Sequence, residues 1–370
     1  MSNTKYTEQF KNDGKALVDF DLDGTRAVSW ESPSNIALVK YWGKYGDQLP
    51  QNPSLSFTLK NSKTITKVVY QKAKGDQSQI EYFFEDQQNA AFEEKIKKYF
   101  ESISIYLPFV KKLDFTIFSS NTFPHSAGIA SSASSFSALS LCLCSIENDL
   151  FNSLSDTNHF YSKASFLARL GSGSACRSTY GKLALWGETE SEEKSSNELA
   201  VKIDNQVHEV FKTYRDAILI IDSSQKSLSS TQGHGLMKSH PFAIARYSQA
   251  NENLMKLLVA MQNGDQKVFA SIVENEAMTL HSLMLSSTPF VSLLKPNTLL
   301  VISKLIEFRK EQGIDFTFTL DAGPNIHILY PNSIRDKMIG FINSDLKAFC
   351  ENGVWIDDEL SDGPKLRTNL

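Results

Sequence analysis

This 370-residue chain has few of several features, and each shortage closes off a class of function. There are four cysteines, Cys142, Cys144, Cys176 and Cys350. The Cys-x-Cys pair is too tight for a zinc site and has no second pair to complete it. Free thiols in a reducing compartment are therefore expected, not disulfides or a structural metal. No apolar run approaches the ~20 residues that a membrane-spanning helix needs. The opening MSNTKYTEQFKNDGK has no apolar signal core, so a cytoplasmic protein is expected. Positive charge is not in excess: Lys+Arg total 38 against 42 Asp+Glu, for a net charge of −4. That balance gives no footprint for nucleic acid or an anionic membrane, so any anionic ligand must be held by a local cluster. The Walker A pattern G-x-x-x-x-G-K-[ST] is absent. The nearest approach to a dinucleotide fingerprint, at 171–176, has Cys176 where the third glycine belongs and no strand before it. Internal repeats and low-complexity tracts are also missing.

What remains is an ordinary globular composition, 41% hydrophobic and 22% charged, on a chain long enough for two domains. Residues 1–27 are polar and read as an extension or surface arm. Alternating runs such as Ser54-Leu55-Ser56-Phe57-Thr58-Leu59, and those at 64–70, predict strands between 27 and 82. Helical spacing of Phe92, Ile96, Tyr99 and Phe100 predicts a helix over 84–103, followed by a strand at 114–118. A Gly/Ser-rich turn then leads into an apolar helix at 134–146, with another helix at 158–170. The acidic stretch 188–197 (ETESEEKSSN) reads as a solvated loop near a change of domain. Beyond it, strands at 216–221, 316–320 and 326–330 mix with helices at 241–262, 265–284 and 296–312. This order predicts an α+β fold, with boundaries of 1–27, 28–205 and 206–370 for arm, N-terminal and C-terminal domain.

Four segments carry chemistry. In Gly171-Ser172-Gly173-Ser174-Ala175-Cys176-Arg177-Ser178, five of eight residues are Gly or Ser and one is Arg. Such a stretch lets a polar ligand approach the main chain while a guanidinium holds an anion, although a flexible loop accounts for it equally well. The turn 123–135 (FPHSAGIASSASS) follows a strand and precedes a helix, so opening amides and the helix dipole converge on one spot. A Ser-rich N-cap explains it as readily as a phosphate cradle. The segment 32–44 (SPSNIALVKYWGK) brings out Lys40, Tyr41, Trp42 and Lys44 together, and a lysine inside an apolar strand calls for a partner. Asp321, at the end of an apolar strand and before Ala322-Gly323-Pro324-Asn325, suits general-base work; taken alone, a simple Asx turn fits it better. A weaker fifth segment, 227–233 (SLSSTQG), offers hydroxyls that bind phosphate or cap a helix.

Taken in order, these segments resemble the mevalonate diphosphate decarboxylase family of the GHMP kinase superfamily. The matching stretches are N-I-A-x-x-K-Y-W-G-K at 35–44, N-P-S-L-S at 52–56, F-P-x-x-A-G-x-A-S-S-A at 123–133, G-S-G-S-A-C-R-S at 171–178, L-S-S-T-Q-G at 228–233 and D-A-G-P-N at 321–325. His281 before Ser287-Thr288-Pro289-Phe290 adds to the likeness. The resemblance implies a two-domain GHMP-kinase-like fold: an N-terminal α/β-type domain with the phosphate loop and a ferredoxin-like C-terminal domain with Asp321. It implies ATP- and Mg²⁺-dependent decarboxylation of (R)-5-diphosphomevalonate. Asp321, Lys40 and Arg177 would be catalytic. Asn35, Tyr41, Lys44, Ser172, Ser174, Ser229 and Ser230 would bind substrate. Ser126, Gly128, Ala130, Ser131, Ser132 and Ser134 would bind ATP, with Ser131 nearest the metal. A small-molecule substrate and a homodimer, without nucleic acid or membrane, complete the expectation. The chain departs from the family at His125, in the S-T-Y-G-K-L-A-L-W-G-E run after Arg177, and at Gly233-His234-Gly235, where Gly-Met is usual. A GHMP-type kinase that stops at phosphoryl transfer is the main rival, but it leaves Arg177 no carboxylate to hold. A silent scaffold protein would be expected to lose Asp321 or the loop glycines.

Overall fold

Alternating apolar and small polar residues build the first half around a sheet. The chain is described here from a computed structural model covering residues 4–75, 77–124, 129–203, 206–224 and 230–368, with Ser230 and Thr231 as backbone only. In chain order the first half holds α1 (Lys5–Gly14), β1 (Thr25–Ala37), β2 (Lys44–Tyr45), β3 (Leu49–Pro50), β4 (Ser54–Lys72), β5 (Ile80–Phe84) and β6 (Gln87–Gln88). It continues with α2 (Ala90–Ile103), β7 (Leu113–Asn121), α3 (Ser131–Phe151), α4 (Thr157–Gly171), β8 (Leu183–Trp186) and β9 (Ala200–Lys202). The second half holds α5 (Glu209–Lys212), β10 (Tyr214–Leu219), α6 (Ser230–Leu236), α7 (Ala243–Asn263), α8 (Gln266–Leu285) and α9 (Pro296–Gln312). Then come β11 (Thr317–Thr319), β12 (Ile326–Pro331), α10 (Arg335–Phe341), β13 (Trp355–Glu359) and β14 (Lys365–Leu366).

The first sheet runs β14-β1-β4-β7-β5-β6, with β8 on the start of β4 and β9 beside it. Its spine is the long antiparallel ladder of β1 and β4, from Thr25↔Gln71 to Ala37↔Ser56. The register shifts between Pro33 and Asn35, where proline has no N–H to give the ladder, and such an irregularity re-aims the following side chains. α3 lies on this sheet, and small residues let it come close. Ser32 Oγ donates to Ser137 Oγ at 2.7 Å, and the hydroxyls of Thr64 and Ser134 share a 2.6 Å hydrogen bond.

The second sheet runs β11-β12-β10-β13, all antiparallel. One face packs Leu219, Phe318 and Ile328 against Val301 and Leu305 of α9 and Phe341 of α10. The other face shares a core with the first half: Ile218 and Leu329 meet Leu55 and Phe57 of β4 together with Leu254, Leu257 and Phe269 of α7 and α8. The halves are thus joined by a dry seam, and β14 returns to pair with β1 in the first sheet.

Some elements differ from the sequence reading. The expected polar arm contains α1, whose Phe10 is fully buried against Phe166. Its first amides, on Tyr6 and Thr7, donate to the Glu198 carboxylate, a remote group that caps the helix. The helix expected over 84–103 starts at Ala90, capped by Asn89 Oδ1 accepting from Phe92 N–H. The apolar helix runs longer than 134–146, from Ser131 to Phe151, because its serines pack into the sheet and Asn152 ends it in a left-handed conformation. Among the described residues no helix is long and apolar enough to cross a membrane. All four cysteines are free and buried.

Candidate active site

Three polar segments meet along a cavity of about 350 Å³ between the two halves. The first is the N-terminus of α3. Ala130 adopts φ +45°, which turns the chain into the helix at the cavity. Ala130 and Ser132 line the cavity, and Ser132 Oγ lies 3.4 Å from Ser172 Oγ. Ser131 Oγ accepts from Asn121 Nδ2 at 2.8 Å. Ser134 is turned away: its hydroxyl is buried against Thr64 and donates to Ser131 O. Ser126 and Gly128 lie outside the described residues.

The second segment is the Gly/Ser/Arg stretch. It is a tight helical turn, Gly173–Thr179, that continues from the end of α4. Close approach requires its glycines, since a Cβ at Gly171 would lie 2.1 Å from Phe136 Cδ1 and one at Gly173 2.8 Å from the Tyr41 hydroxyl. Ser172, Ser174 and Arg177 line the cavity. The Arg177 guanidinium is only 2% exposed. Its Nη1 donates to Ser54 Oγ at 2.8 Å, its Nε and Nη2 to Asn35 Oδ1 at 3.4 and 3.3 Å, and its plane lies 5.7 Å from the Trp186 ring. All of these partners are neutral. Burial lowers its affinity for the proton, although a guanidinium remains charged at any working pH. Asn35 does not line the cavity. It donates to Ser178 Oγ at 2.7 Å and aims Arg177.

The third segment joins β1 to the turn after β11. Lys40, 1% exposed, places Nζ 2.8 Å from Asp321 Oδ1 and 2.7 Å from Ala37 O. Burial pulls the Lys40 pKa below the ordinary lysine value, and Asp321 partly restores it. The lysine backbone is gripped from three sides. Its N–H donates to Glu276 Oε2 at 2.9 Å, and its carbonyl accepts from Asn52 Nδ2 at 3.0 Å and Arg246 Nη2 at 3.2 Å. Arg246 and Glu276, on α7 and α8, form a fully buried ion pair at 2.5 Å. The Asp321 turn is fixed through Asn325, whose Oδ1 accepts from the N–H groups of Ile221 and Asp222.

Tyr41, Lys44 and His234 also line the cavity. The Lys44 ammonium donates to Gln48 Oε1 at 2.8 Å. Ser229 lies outside the described residues, and Ser230 is placed only as the first residue of α6. The sequence reading did not pick out Arg246, Glu276 or Lys95 of α2, which also faces the cavity, and it quoted Asn52 in the 52–56 stretch without a role. For the ion pair no local signal exists, because its members are 30 positions apart on different helices. His234 sat beside a flagged segment, and its departure from Gly-Met was the available signal.

A helix N-terminus, a buried guanidinium and a lysine–carboxylate pair on one interdomain cleft define a GHMP-kinase-like α+β protein. Two family models match: the diphosphomevalonate decarboxylase-like N-terminal domain over 32–197 and the mevalonate 5-diphosphate decarboxylase C-terminal domain over 217–361. The chain belongs to the diphosphomevalonate decarboxylase family. It is 30% identical over 335 residues to the diphosphomevalonate decarboxylase of Gibberella zeae, spanning 85% of this chain and 83% of that one. Among solved structures it resembles mevalonate diphosphate decarboxylase from Staphylococcus aureus, with TM-score 0.79 and 27% identity over 93% of this chain and 98% of that one. The enzyme from Enterococcus faecalis, in a structure describing ATP binding mediated by mevalonate diphosphate, shares the fold with TM-score 0.77 at 24% identity over 93% and 99%.

Proposed function

We propose that this chain catalyses the ATP-dependent decarboxylation of (R)-5-diphosphomevalonate to isopentenyl diphosphate, CO₂, ADP and phosphate. The observation that carries this reading is Arg177, a buried cation with neutral partners on a cavity that also holds Asp321. A desolvated guanidinium with no anion in hydrogen-bond contact favours an anionic ligand, and its planar fork fits a carboxylate. A kinase whose substrate carries no carboxylate has no use for it.

In this reading Asp321 accepts or orients the proton of the substrate's tertiary 3-hydroxyl. Lys40 holds Asp321 in place and adds positive charge beside the reacting oxygen. Arg177 fixes the carboxylate. As the 3-phosphate leaves with the electrons of the C3–O bond, the electron pair of the C1–C2 bond forms the new C2=C3 double bond and the carboxyl group departs as CO₂. Asn35 acts through Arg177 by setting the angle of its fork. Tyr41, Lys44, Ser172, Ser174, Ser229 and Ser230 bind the rest of the substrate, and the loop 126–134 takes the nucleotide phosphates at the α3 N-terminus. ATP supplies the phosphoryl group that turns the hydroxyl into a good leaving group. The described residues include no cluster of three or more His, Cys, Asp or Glu able to hold a metal. In this reading Mg²⁺ would be carried on the phosphate oxygens of ATP, with Ser131 beside them. The same reading includes a division at 205/206, a cytoplasmic location and a homodimer, which sedimentation of the purified protein checks.

The test supplies ATP, Mg²⁺ and 5-diphosphomevalonate and measures ADP and CO₂ together. Equal release is expected. ADP without CO₂ would make the chain a kinase, and neither product would make it a silent relative.

A further inference from the structure

His234 lies outside the roles assigned above, and its surroundings are unusually restrictive. Its ring sits between those of Tyr41 and Trp42, with centroids 4.2 and 5.0 Å away. Nδ1 accepts from the Gly43 N–H at 3.0 Å. The residue before it has to be glycine, because a Cβ at Gly233 would lie 2.4 Å from Trp42 Cη2. With Nδ1 committed as an acceptor, the neutral ring carries its proton on Nε2. Burial, with Lys44 and Arg177 nearby, holds the pKa down at about 3, so the ring is neutral at working pH. His234 thus presents a rigid, uncharged N–H donor on the cavity wall.

The other donors have prior commitments if the decarboxylase reading holds. Lys40 is tied to Asp321. Arg177 is reserved for the carboxylate. Lys95 also lines the cavity, with its ammonium 5.5 Å from the Phe92 ring of α2. Of the cavity-lining cations among the described residues this leaves Lys44 for a diphosphate that carries more than one negative charge. A further cation beside Lys44 and Arg177 would add a desolvation cost, whereas a neutral donor adds a hydrogen bond without one.

We propose that His234 binds the distal phosphate oxygens of the substrate through Nε2–H and so selects the diphosphorylated substrate over its monophosphorylated counterpart. The proposal rests on the decarboxylase reading for the identity of the substrate. Its anion chemistry can be tested without turnover, using inorganic pyrophosphate.

Two variants isolate the donor. His234→Phe keeps the ring contacts but removes the Nε2–H together with the Nδ1 acceptor of the Gly43 N–H. His234→Gln returns an N–H near the position of Nε2 without restoring that acceptor, so recovery in the Gln variant reports on the donor. Loss of a hydrogen bond to a charged group corresponds to roughly a ten- to hundredfold change. In His234→Phe, KM for 5-diphosphomevalonate and Kd for inorganic pyrophosphate should rise by that factor, while kcat and the KM for ATP move little. The preference for 5-diphosphomevalonate over 5-phosphomevalonate should fall by the same factor, and His234→Gln should recover part of each loss. Melting temperatures of all three proteins check that the fold is kept. A His234→Phe protein with wild-type pyrophosphate affinity would overturn the proposal. So would equal losses for the mono- and diphosphorylated substrates, or a wild type that binds no pyrophosphate. If the wild type releases no CO₂ yet binds pyrophosphate through His234, the decarboxylase reading fails and the anion site stands.

Discussion

Arg177 and Lys40 are both buried cations on one cavity, yet they are satisfied in opposite ways. Lys40 has a carboxylate 2.8 Å away, a carbonyl at 2.7 Å and a backbone clamped by residues from two further helices. Arg177 has a serine hydroxyl, an asparagine oxygen and an aromatic face. Burying a charge is costly unless it is paired, and the Lys40 end is compensated by a direct ion pair. Arg177, with neutral hydrogen-bond partners and only the more distant attraction of Asp321, gains most from an anionic ligand. The contrast divides the cavity by role: one end holds its geometry before substrate arrives, and the other stores affinity for it.

The largest expected effect comes from the compensated end. Asp321→Asn removes the proton acceptor and Lys40's counter-charge, and CO₂ release should fall by roughly 10²–10⁴-fold. Nucleotide binding, measured by calorimetry, should survive. Near-normal CO₂ release from this variant would remove Asp321 from its role. Next is Glu276→Gln, which leaves Arg246 charged and buried without its partner. Breaking such a pair costs about 3–5 kcal/mol, to be read in chemical denaturation. A loss under 1 kcal/mol would mean that the clamp on Lys40 does not depend on this pair. Arg177→Met should behave in the opposite sense. With no carboxylate hydrogen-bonded to Arg177, the ligand-free protein should lose far less stability than Glu276→Gln, while CO₂ release falls about a hundredfold through the lost charge-assisted hydrogen bonds. A large drop in melting temperature would show that Arg177 is a structural cation, and the contrast between the two ends would collapse.

The same contrast explains what the sequence made legible. Lys40, Arg177 and Asp321 were visible because each is chemically conspicuous where it stands: a lysine in an apolar run, an arginine among glycines and serines, an aspartate closing a strand. Strands with clean alternation, such as 54–59, were equally plain. Asn35 was legible as a polar residue in the right segment, but its task of aiming Arg177 depends on a register shift at Pro33 that no pattern announces. Ser134 looked interchangeable with Ser132 until helical geometry turned one into the sheet and left the other on the cavity. Nothing in the sequence marks Glu276 and Arg246, because pairing across 30 residues is a property of packing. The burial of Phe10 was missed for a like reason, since one aromatic in a polar stretch has no periodic partner and its pocket comes from α4.

The smallest effect is also the most diagnostic, because activity and stability should move in opposite directions at one residue. Burial sets the Lys40 pKa below the ordinary lysine value of 10.5, with Asp321 opposing. Activity that needs the ammonium should therefore fall on the alkaline side earlier than a free lysine would dictate. In the window between the lowered folded value and 10.5, the unfolded chain binds more protons at this site than the folded one. Stability against unfolding consequently rises with pH there, by the sign of the linkage relation. Lys40→Met should abolish that rise and Lys40→Arg should remove the alkaline limb from whatever activity remains, because a guanidinium does not titrate in this range. Parallel pH profiles of kcat/KM and of denaturation midpoint in the wild type and both variants provide the measurement. An alkaline limb at the ordinary lysine value, or a stability slope unchanged in Lys40→Met, would mean that Asp321 outweighs burial at Lys40. In that case the lysine end would be more fully compensated than its depressed pKa implies.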